Sequence, residues 1–178
     1  MFVCGSPFLV TYSRSIKYTT AEFIPTQTAG QLDKCLMKVV YGYARGGFVV
    51  NLMLMDTEFD KIRDVLPMVE VNTTAAREHV PEIELRIRTI KERVRSVTSD
   101  FPFNPVPMLV LLQTVYRICL WLNAIRSLSG KERGLPPCEL VTGREDYYNK
   151  DYRADLGAYV QAITDKLVTN DNTPRIHG

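Results

Sequence analysis

The chain has 178 residues, a formal charge of +2, and a content of 46% hydrophobic and 24% charged residues. This length fits one domain of ordinary size with a short appendage, and the hydrophobic content excludes a chain that is disordered throughout. The charge is too balanced to indicate a polyanionic partner by itself. A nucleic-acid site would have to follow from where the charges lie.

The cysteines and histidines show no metal-binding spacing. The four cysteines lie far apart, no two of them form a CxxC pair, and the only histidines are His79 and His177. This pattern excludes a zinc finger. It predicts reduced thiols, as in an intracellular protein of the cytoplasm or nucleus.

One stretch, Val106 to Ile125, is apolar enough to be considered as a membrane span. Gln113, Arg117 and Asn123 interrupt it, and each of these side chains is costly in lipid. We therefore predict a buried helix there, a soluble protein, and no membrane partner.

The first third of the chain is predicted to form strands. Met1–Cys4 and Phe8–Tyr12 are short apolar runs separated by Gly5-Ser6-Pro7, a turn signal that is typical of paired strands. Tyr18–Ile24 is rich in threonine and aromatic residues and is closed by Pro25, so it is a third strand candidate.

The hydrophobic period then changes to that of a helix, which Thr28 would cap and Gly46-Gly47 would end. Its apolar residues recur at spacings of three and four, namely Leu32, Cys35, Leu36, Val39, Val40 and Tyr43. Phe48–Met55 follows as a nearly continuous apolar run. Such a run predicts a strand that is covered on both faces, and it ends on Asp56.

The next expected elements are a short helix, a strand, and two long helices separated by a proline-rich break, at Glu58–Leu66, Val69–Val71, Ala75–Val97 and Met108–Leu128. Helices thus alternate with strands after an opening run of strands, which is the order of an α/β domain whose first strands pair antiparallel. Beyond a polar loop at Gly130–Pro137, the tail is expected to contain a strand within Leu156–Ile163.

Asp56 is the first candidate for chemistry, because it lies where a predicted buried strand ends. That edge is where open α/β sheets bind ligands. An Asp that merely caps the next helix occupies the same kind of position. On position alone, this plainer interpretation is favoured.

A second carboxylate lies on the helix that bears a stripe of isoleucine and valine. Glu84 is followed on one helical face by three basic residues at i+4, i+7 and i+11, which are Arg88, Lys91 and Arg95. One acid followed by three bases suits a metal ion and a phosphate backbone together. A solvated helix face with a Glu84–Arg88 ion pair explains the same pattern, so the residues alone indicate a metal-and-phosphate site only as one of two interpretations.

Five segments of the chain, in order, resemble the integrases of copia-type retrotransposons. Met55–Phe59 resembles the element around their second acidic residue, and Glu84–Ile90 resembles the element around the third. Three later segments resemble signatures that follow the core, at Trp121–Ala124, Pro137–Gly143 and Leu156–Val160. Their order over nearly the whole chain makes the resemblance specific.

The resemblance implies a catalytic core over residues 1–130, with an RNase H-like mixed sheet and flanking helices. A post-core linker and a short β-containing tail would occupy residues 131–178. The implied function is DNA integration, a polynucleotidyl transfer at DNA phosphodiesters by a site in which two Asp and one Glu hold two Mg²⁺ (or Mn²⁺) ions. The chain would then derive from a retroelement gag-pol polyprotein.

Within that site the resemblance assigns roles residue by residue. Asp56 would be the second acid and Glu84 the third, both as catalytic residues and as metal ligands. Arg88 and Lys91 would bind DNA, and Arg95 continues their row on the helix face.

The first acid of such a triad is missing, since no acidic residue precedes Glu22. It belongs on the opening strand, so we expect it just upstream of Met1 in a longer polyprotein and expect this chain to be an incomplete or inactive fragment. Glu22 as a substitute acid is a weaker alternative. The alternative function is a non-catalytic nucleic-acid-binding or interaction module with a decayed RNase H-like core, and self-association into a homo-oligomer stays open.

Overall fold

The computed structural model describes residues 1–56, 59, 69–74, 81–126 and 134–144, together with residues 156, 158, 161–162 and 176–177. The chain divides into two compact units, Met1–Asp146 and Tyr147–Gly178. In the second unit, the described residues form one antiparallel pair of short strands, so the β-containing tail is confirmed. The predicted domain boundary at residue 130 stays a prediction.

The first unit has the α/β architecture that the sequence predicts. Its described strands are β1 (Phe2–Val3), β2 (Ser6–Tyr12), β3 (Thr19–Phe23), β4 (Leu52–Asp56) and β5 (Glu70–Thr74). Its described helices are α1 (Ala29–Arg45), α2 (Pro81–Ser99), α3 (Met108–Ala124) and α4 (Pro137–Thr142). In the second unit, β6 (Gln161–Ala162) pairs with β7 (Ile176–His177).

The opening strands form an antiparallel sheet in the order β1-β2-β3, as predicted. Phe2 pairs with Pro7 across a tight turn, in which Gly5 has a φ of 79°, a conformation that glycine adopts without a steric penalty. β2 and β3 pair from Phe8↔Phe23 to Tyr12↔Thr19. Successive side chains of these strands therefore point to opposite faces of the sheet.

Helices cover both faces of this sheet. Phe8 and Ala21 belong to a core cluster with Ile90 of α2 and Val115 of α3. Leu9, the neighbour of Phe8, belongs to a second cluster on the side of α1. The antiparallel sheet is thus the middle layer of three, with α2 and α3 on one face and α1 on the other.

α1 begins and ends close to the predicted residues. Thr28 is its N-cap residue, although the side chain of Thr28 makes no capping hydrogen bond, and Gly46 is its C-cap residue. The buried side chains of α1 all come from the predicted apolar stripe, namely Cys35, Leu36, Val39 and Tyr43. Burial of one face therefore determines this helix, as its period indicates.

The prediction that Phe48–Met55 forms a strand covered on both faces is wrong. β4 begins only at Leu52, whose side chain is 50% exposed, and the rest of β4 is half-buried or exposed. The apolar residues of this run pack against two different surfaces. Met53 and Met55 pack in the cluster on the α1 side, whereas Phe48 packs against the C-terminal half of α1 and α4.

The other elements differ from the predictions mainly at their ends. β5 is longer than predicted, α2 is described from Pro81, and α3 ends at Ala124 because Ile125 has an extended backbone (φ −88°, ψ 126°). The helix predicted at Glu58–Leu66 and residues 75–80 lie outside the described residues, apart from Phe59.

α4 was not predicted, and it packs against α1 and α3. α3, by contrast, occupies the stretch considered above as a membrane candidate, and one of its faces is buried in the core. Across the described residues, no helix is both long and apolar enough to cross a membrane.

Candidate metal and nucleic-acid site

Asp56 is the last residue of β4, at an edge where two parallel strands end together. The register of the parallel pair runs from Leu52↔Glu70 to Asp56↔Thr74, so β4 and β5 reach the same edge at their carboxyl ends. The side chain of Asp56 is exposed there. The carboxyl edge of parallel strands is where α/β sheets bind ligands, so this position allows Asp56 to reach a bound ion.

Glu84 lies on α2, the helix that follows β5 along the chain. Residues 75–80 separate the last residue of β5 from Pro81, and Glu84 lies in the first turn of α2. The positive end of the helix dipole lies at this terminus and favours carboxylates. Ile90 and Val94 are buried at 0% and 2% exposure, which fixes the rotation of α2 and leaves Glu84 exposed.

The predicted acidic and basic residues of α2 do lie together. Glu84, Arg88, Lys91 and Arg95 line one open depression of about 360 Å³, with Ile87 and Glu92. Three cations and two carboxylates thus share this surface, which leaves one positive charge in excess. We call this depression the α2 basic face. Asp56 is not among the residues that line it.

Glu92 is the member of this set that the sequence interpretation missed. It lies four residues after Arg88, at the spacing that brings two side chains together on a helix. This spacing could have predicted that Glu92 lies on the same helix face as Arg88. Glu92 adds a second negative charge to this helix face and so lowers its positive potential.

Two side-chain contacts hold the start of α2 against the end of β2, on either side of Glu84. Arg14 Nε donates to Glu82 Oε2, and the guanidinium of Arg86 lies over the ring of Tyr12 with 4.9 Å between Cζ and the ring centroid. Glu82 and Arg86 are two residues before and two residues after Glu84. These contacts position the turn of the helix that carries the candidate ligand.

Glu22 does not complete a site with Glu84. Its Oε2 accepts a hydrogen bond from Lys38 Nζ of α1 at 2.6 Å, and this bond raises the pKa of Lys38. α2 packs on the opposite face of the sheet, with Phe8. Glu22 is thus held on the α1 side, which argues against its role as a substitute for the missing acid.

The described residues contain no group of three His, Cys, Asp or Glu side chains that could hold a metal ion. Carboxylate oxygens are the ligands that Mg²⁺ prefers, so Asp56 and Glu84 fit this metal in chemical type. Asp56 and Glu84 lie on separate elements, and two carboxylates alone do not complete the coordination of a metal ion.

No family model matches the chain, and no curated protein matches it either. Among solved structures, the chain is similar to the catalytic core domain of BIV integrase, with a TM-score of 0.51 and 15% sequence identity. The similarity covers 79% of this chain and 88% of that one. At this identity the likeness shows the fold alone, and the chain therefore has the α/β fold of an integrase catalytic core.

Proposed function

We propose that this chain belongs to a DNA-integrating polynucleotidyl transferase of the copia-type retrotransposon kind, originally part of a gag-pol polyprotein. One observation carries the proposal. In a fold like that of an integrase core, one carboxylate, Asp56, ends a parallel strand, and a second, Glu84, lies in the first turn of the helix that follows the neighbouring strand. DNA is the proposed partner, in the cytoplasm or nucleus.

The proposed roles follow from the chemistry of the side chains. Asp56 and Glu84 would hold Mg²⁺ or Mn²⁺, which when bound stabilises the attacking and leaving oxygens of a phosphodiester displacement. Arg88, Lys91 and Arg95 would bind backbone phosphates beside the carboxylates and so orient the DNA. Phosphate contacts position a duplex without reading its sequence, so these residues would carry little sequence preference.

A second candidate function is a non-catalytic nucleic-acid-binding module with the same fold. It is supported by the basic residues Arg88, Lys91 and Arg95, which share one surface of α2 and could bind phosphates without a metal ion. Both candidates share the α2 basic face. They differ in whether the carboxylates bind a metal ion and support strand transfer.

Mn²⁺ binding separates the two candidates. Titration of the whole chain, followed by the electron paramagnetic resonance of free Mn²⁺, should give weak binding that Asp56→Asn and Glu84→Gln each weaken further. Both variants keep the side-chain shape and remove the charge that a metal needs. Glu92→Gln is the matched control, because Glu92 lies on the same face of the same helix and has no proposed metal role.

Equal losses in all three variants would mean that the ion responds to general negative charge, and the metal site would then be rejected. Strand transfer is the second readout. We expect none from the 178-residue chain, and partial activity after an Asp-bearing extension is joined to its N-terminus. Activity of the unextended chain would show that the assignment of the acids is wrong.

DNA binding is tested through its dependence on salt. If Lys91 contacts a phosphate, Lys91→Ala should lower the slope of log affinity against log salt by about 0.9 for any duplex sequence. An unchanged slope would identify the α2 basic face as a solvated helix surface. That outcome would remove the shared basis of both candidate functions.

A further inference from the structure

The hairpin between β2 and β3 carries a second group of basic residues that is separate from the α2 basic face. Lys17 Nζ and Arg86 Cζ lie 5.8 Å and 4.9 Å from the centroid of the same ring, that of Tyr12. Arg14, on the same hairpin, is paired with Glu82. Two cations from distant parts of the sequence thus meet at one aromatic ring, and a third, Arg14, lies on the same hairpin.

This group has more positive than negative charge. Glu82 forms an ion pair with Arg14, and in the described part of the chain neither Lys17 nor Arg86 has a carboxylate within 4.0 Å. The Tyr12 ring attracts both cations through its quadrupole, a weak interaction at an exposed site.

The backbone of the hairpin is held in place as well. Lys17 has a φ of 66°, in the left-handed region that non-glycine residues rarely adopt. Its N–H donates to the carbonyl of Ser13 at 2.8 Å, and the N–H of Ser13 donates to the carbonyl of Tyr18 at 2.9 Å. The cation of Lys17 is therefore presented from a defined turn.

A fourth cation extends this group along α2. Arg93 is seven residues after Arg86, which is close to two helical turns, and its side chain is exposed. The buried stripe with Ile90 and Val94 separates this side of the helix from Lys91. We call Arg14, Lys17, Arg86 and Arg93 the hairpin basic face.

We propose that the hairpin basic face is a second binding site for the phosphodiester backbone of nucleic acid. A cluster of cations with an excess of positive charge attracts the closely spaced phosphates of a nucleic-acid backbone. Binding at this face is therefore independent of base sequence. It also does not depend on a metal ion at Asp56 or Glu84.

The carboxylate of Glu82 would compete with a bound phosphate for Arg14. It neutralises Arg14 in an ion pair whose side chains are 53% and 43% exposed, and exposed pairs of this kind are weak. A phosphate can therefore replace the carboxylate of Glu82. Removing the charge of Glu82 frees Arg14 and should strengthen nucleic-acid binding, an effect that a purely structural ion pair would not have.

The experiment measures the affinity of the whole chain for a duplex of about 30 base pairs between roughly 50 and 200 mM salt. Lys17→Asn removes one cation and keeps a residue that tolerates a positive φ. Each lost phosphate contact should lower the log–log slope by about 0.9, which reduces the affinity ratio between these two salt concentrations by about 3.5-fold. Arg93→Gln should act in the same direction, and Glu82→Gln should raise both slope and affinity.

Lys34→Gln is the matched control, because Lys34 is exposed on α1, on the other side of the sheet. Thermal unfolding of each variant shows whether the fold is kept. If Lys17→Asn and Glu82→Gln behave like the control, the proposal is overturned. Lys91→Ala tests the α2 basic face in the same assay, so failure of either surface is seen separately from failure of the other.

Discussion

Replacing Asn123 tests what holds α3 against the sheet. β3 lies at the end of the order β1-β2-β3, so its outward backbone groups need partners from outside this sheet. The Asn123 side chain supplies two of them. Its Nδ2 donates to the carbonyl of Thr19 at 2.7 Å, and its Oδ1 accepts from the N–H of Thr19 at 2.8 Å. One amide thus replaces a neighbouring strand at this residue.

The cost of losing this amide follows from its burial. Asn123 is 4% exposed and Thr19 is 1% exposed, so water cannot take over the two hydrogen bonds. Asn123→Ala leaves two buried backbone groups unpaired, at about 1–3 kcal/mol each. We expect the free energy of unfolding to fall by roughly 2–6 kcal/mol, from a typical total of about 5–15 kcal/mol. The unfolding temperature should fall by about 5–15 °C.

Asn123→Asp gives the same shape with a different charge. Burial and the facing Thr19 carbonyl would raise the pKa of the new carboxyl in the folded chain above its unfolded value of about 3.9. A carboxyl with a raised folded pKa favours folding only while it is protonated. The variant should therefore be closest to the native chain near pH 4 and lose stability as pH rises through the folded pKa.

Urea unfolding of the native chain and the variants, at about pH 4 and about pH 8, measures both effects. Thr114→Val is the control on the same helix, because Thr114 is fully buried and its Oγ1 donates to the carbonyl of Val110 in its own turn. We expect this change to cost less than about 1 kcal/mol. The reasoning is refuted if Asn123→Ala costs no more than the control, or if the deficit of Asn123→Asp does not depend on pH.

Three further predictions concern packing, thiol ionisation and thiol reactivity. Gly46→Ala should destabilise the fold by about 1–3 kcal/mol, because the added Cβ would overlap the backbone of Val141. Gly42→Ala, in α1 and with open space around it, should instead stabilise the fold by about 0.5–1 kcal/mol. Thermal unfolding measures both changes. Burial raises the pKa of the Cys119 thiol from 9.0 to about 12. The free energy of unfolding should therefore fall above about pH 9, by about 1.4 kcal/mol per pH unit. Cys119→Ala should reduce this dependence on pH in urea unfolding at alkaline pH. Exposed Cys4 should react with a thiol reagent in the folded chain, while Cys119 should not.

Elements with a long apolar stripe could be predicted from the sequence. α1 buries the residues that its period selects, and the rotation of α2 follows from its isoleucine and valine stripe. α4 was missed because six residues are too few to show a period, although Pro137 at its start and Gly143 at its end are typical helix limits. The prediction for β4 was wrong because an apolar run does not show whether its residues pack against one surface or several.

The part of the candidate site that lies on one helix could be predicted from the sequence. The α2 basic face depends on spacing along one helix, so its residues were found together, with Glu92 as the omission. Contacts between distant segments leave no local pattern. The Asn123–Thr19 hydrogen bonds join residues 104 positions apart, and the contact of Arg86 with Tyr12 is equally invisible to periodicity. The relation of Asp56 to Glu84 is of this kind and stays a prediction.

The position of Glu84 depends on contacts that are remote from it. Asn123 ties α3 to β3, α3 packs against α2 through the cluster around Ile90, and the hairpin contacts hold the first turns of α2. Loosening α3 would thus weaken support on one side of α2 and leave the hairpin contacts on the other. Asn123→Ala should therefore reduce stability more than it changes DNA affinity per folded molecule, because both basic faces are carried by α2 itself and by the hairpin that stays attached to it.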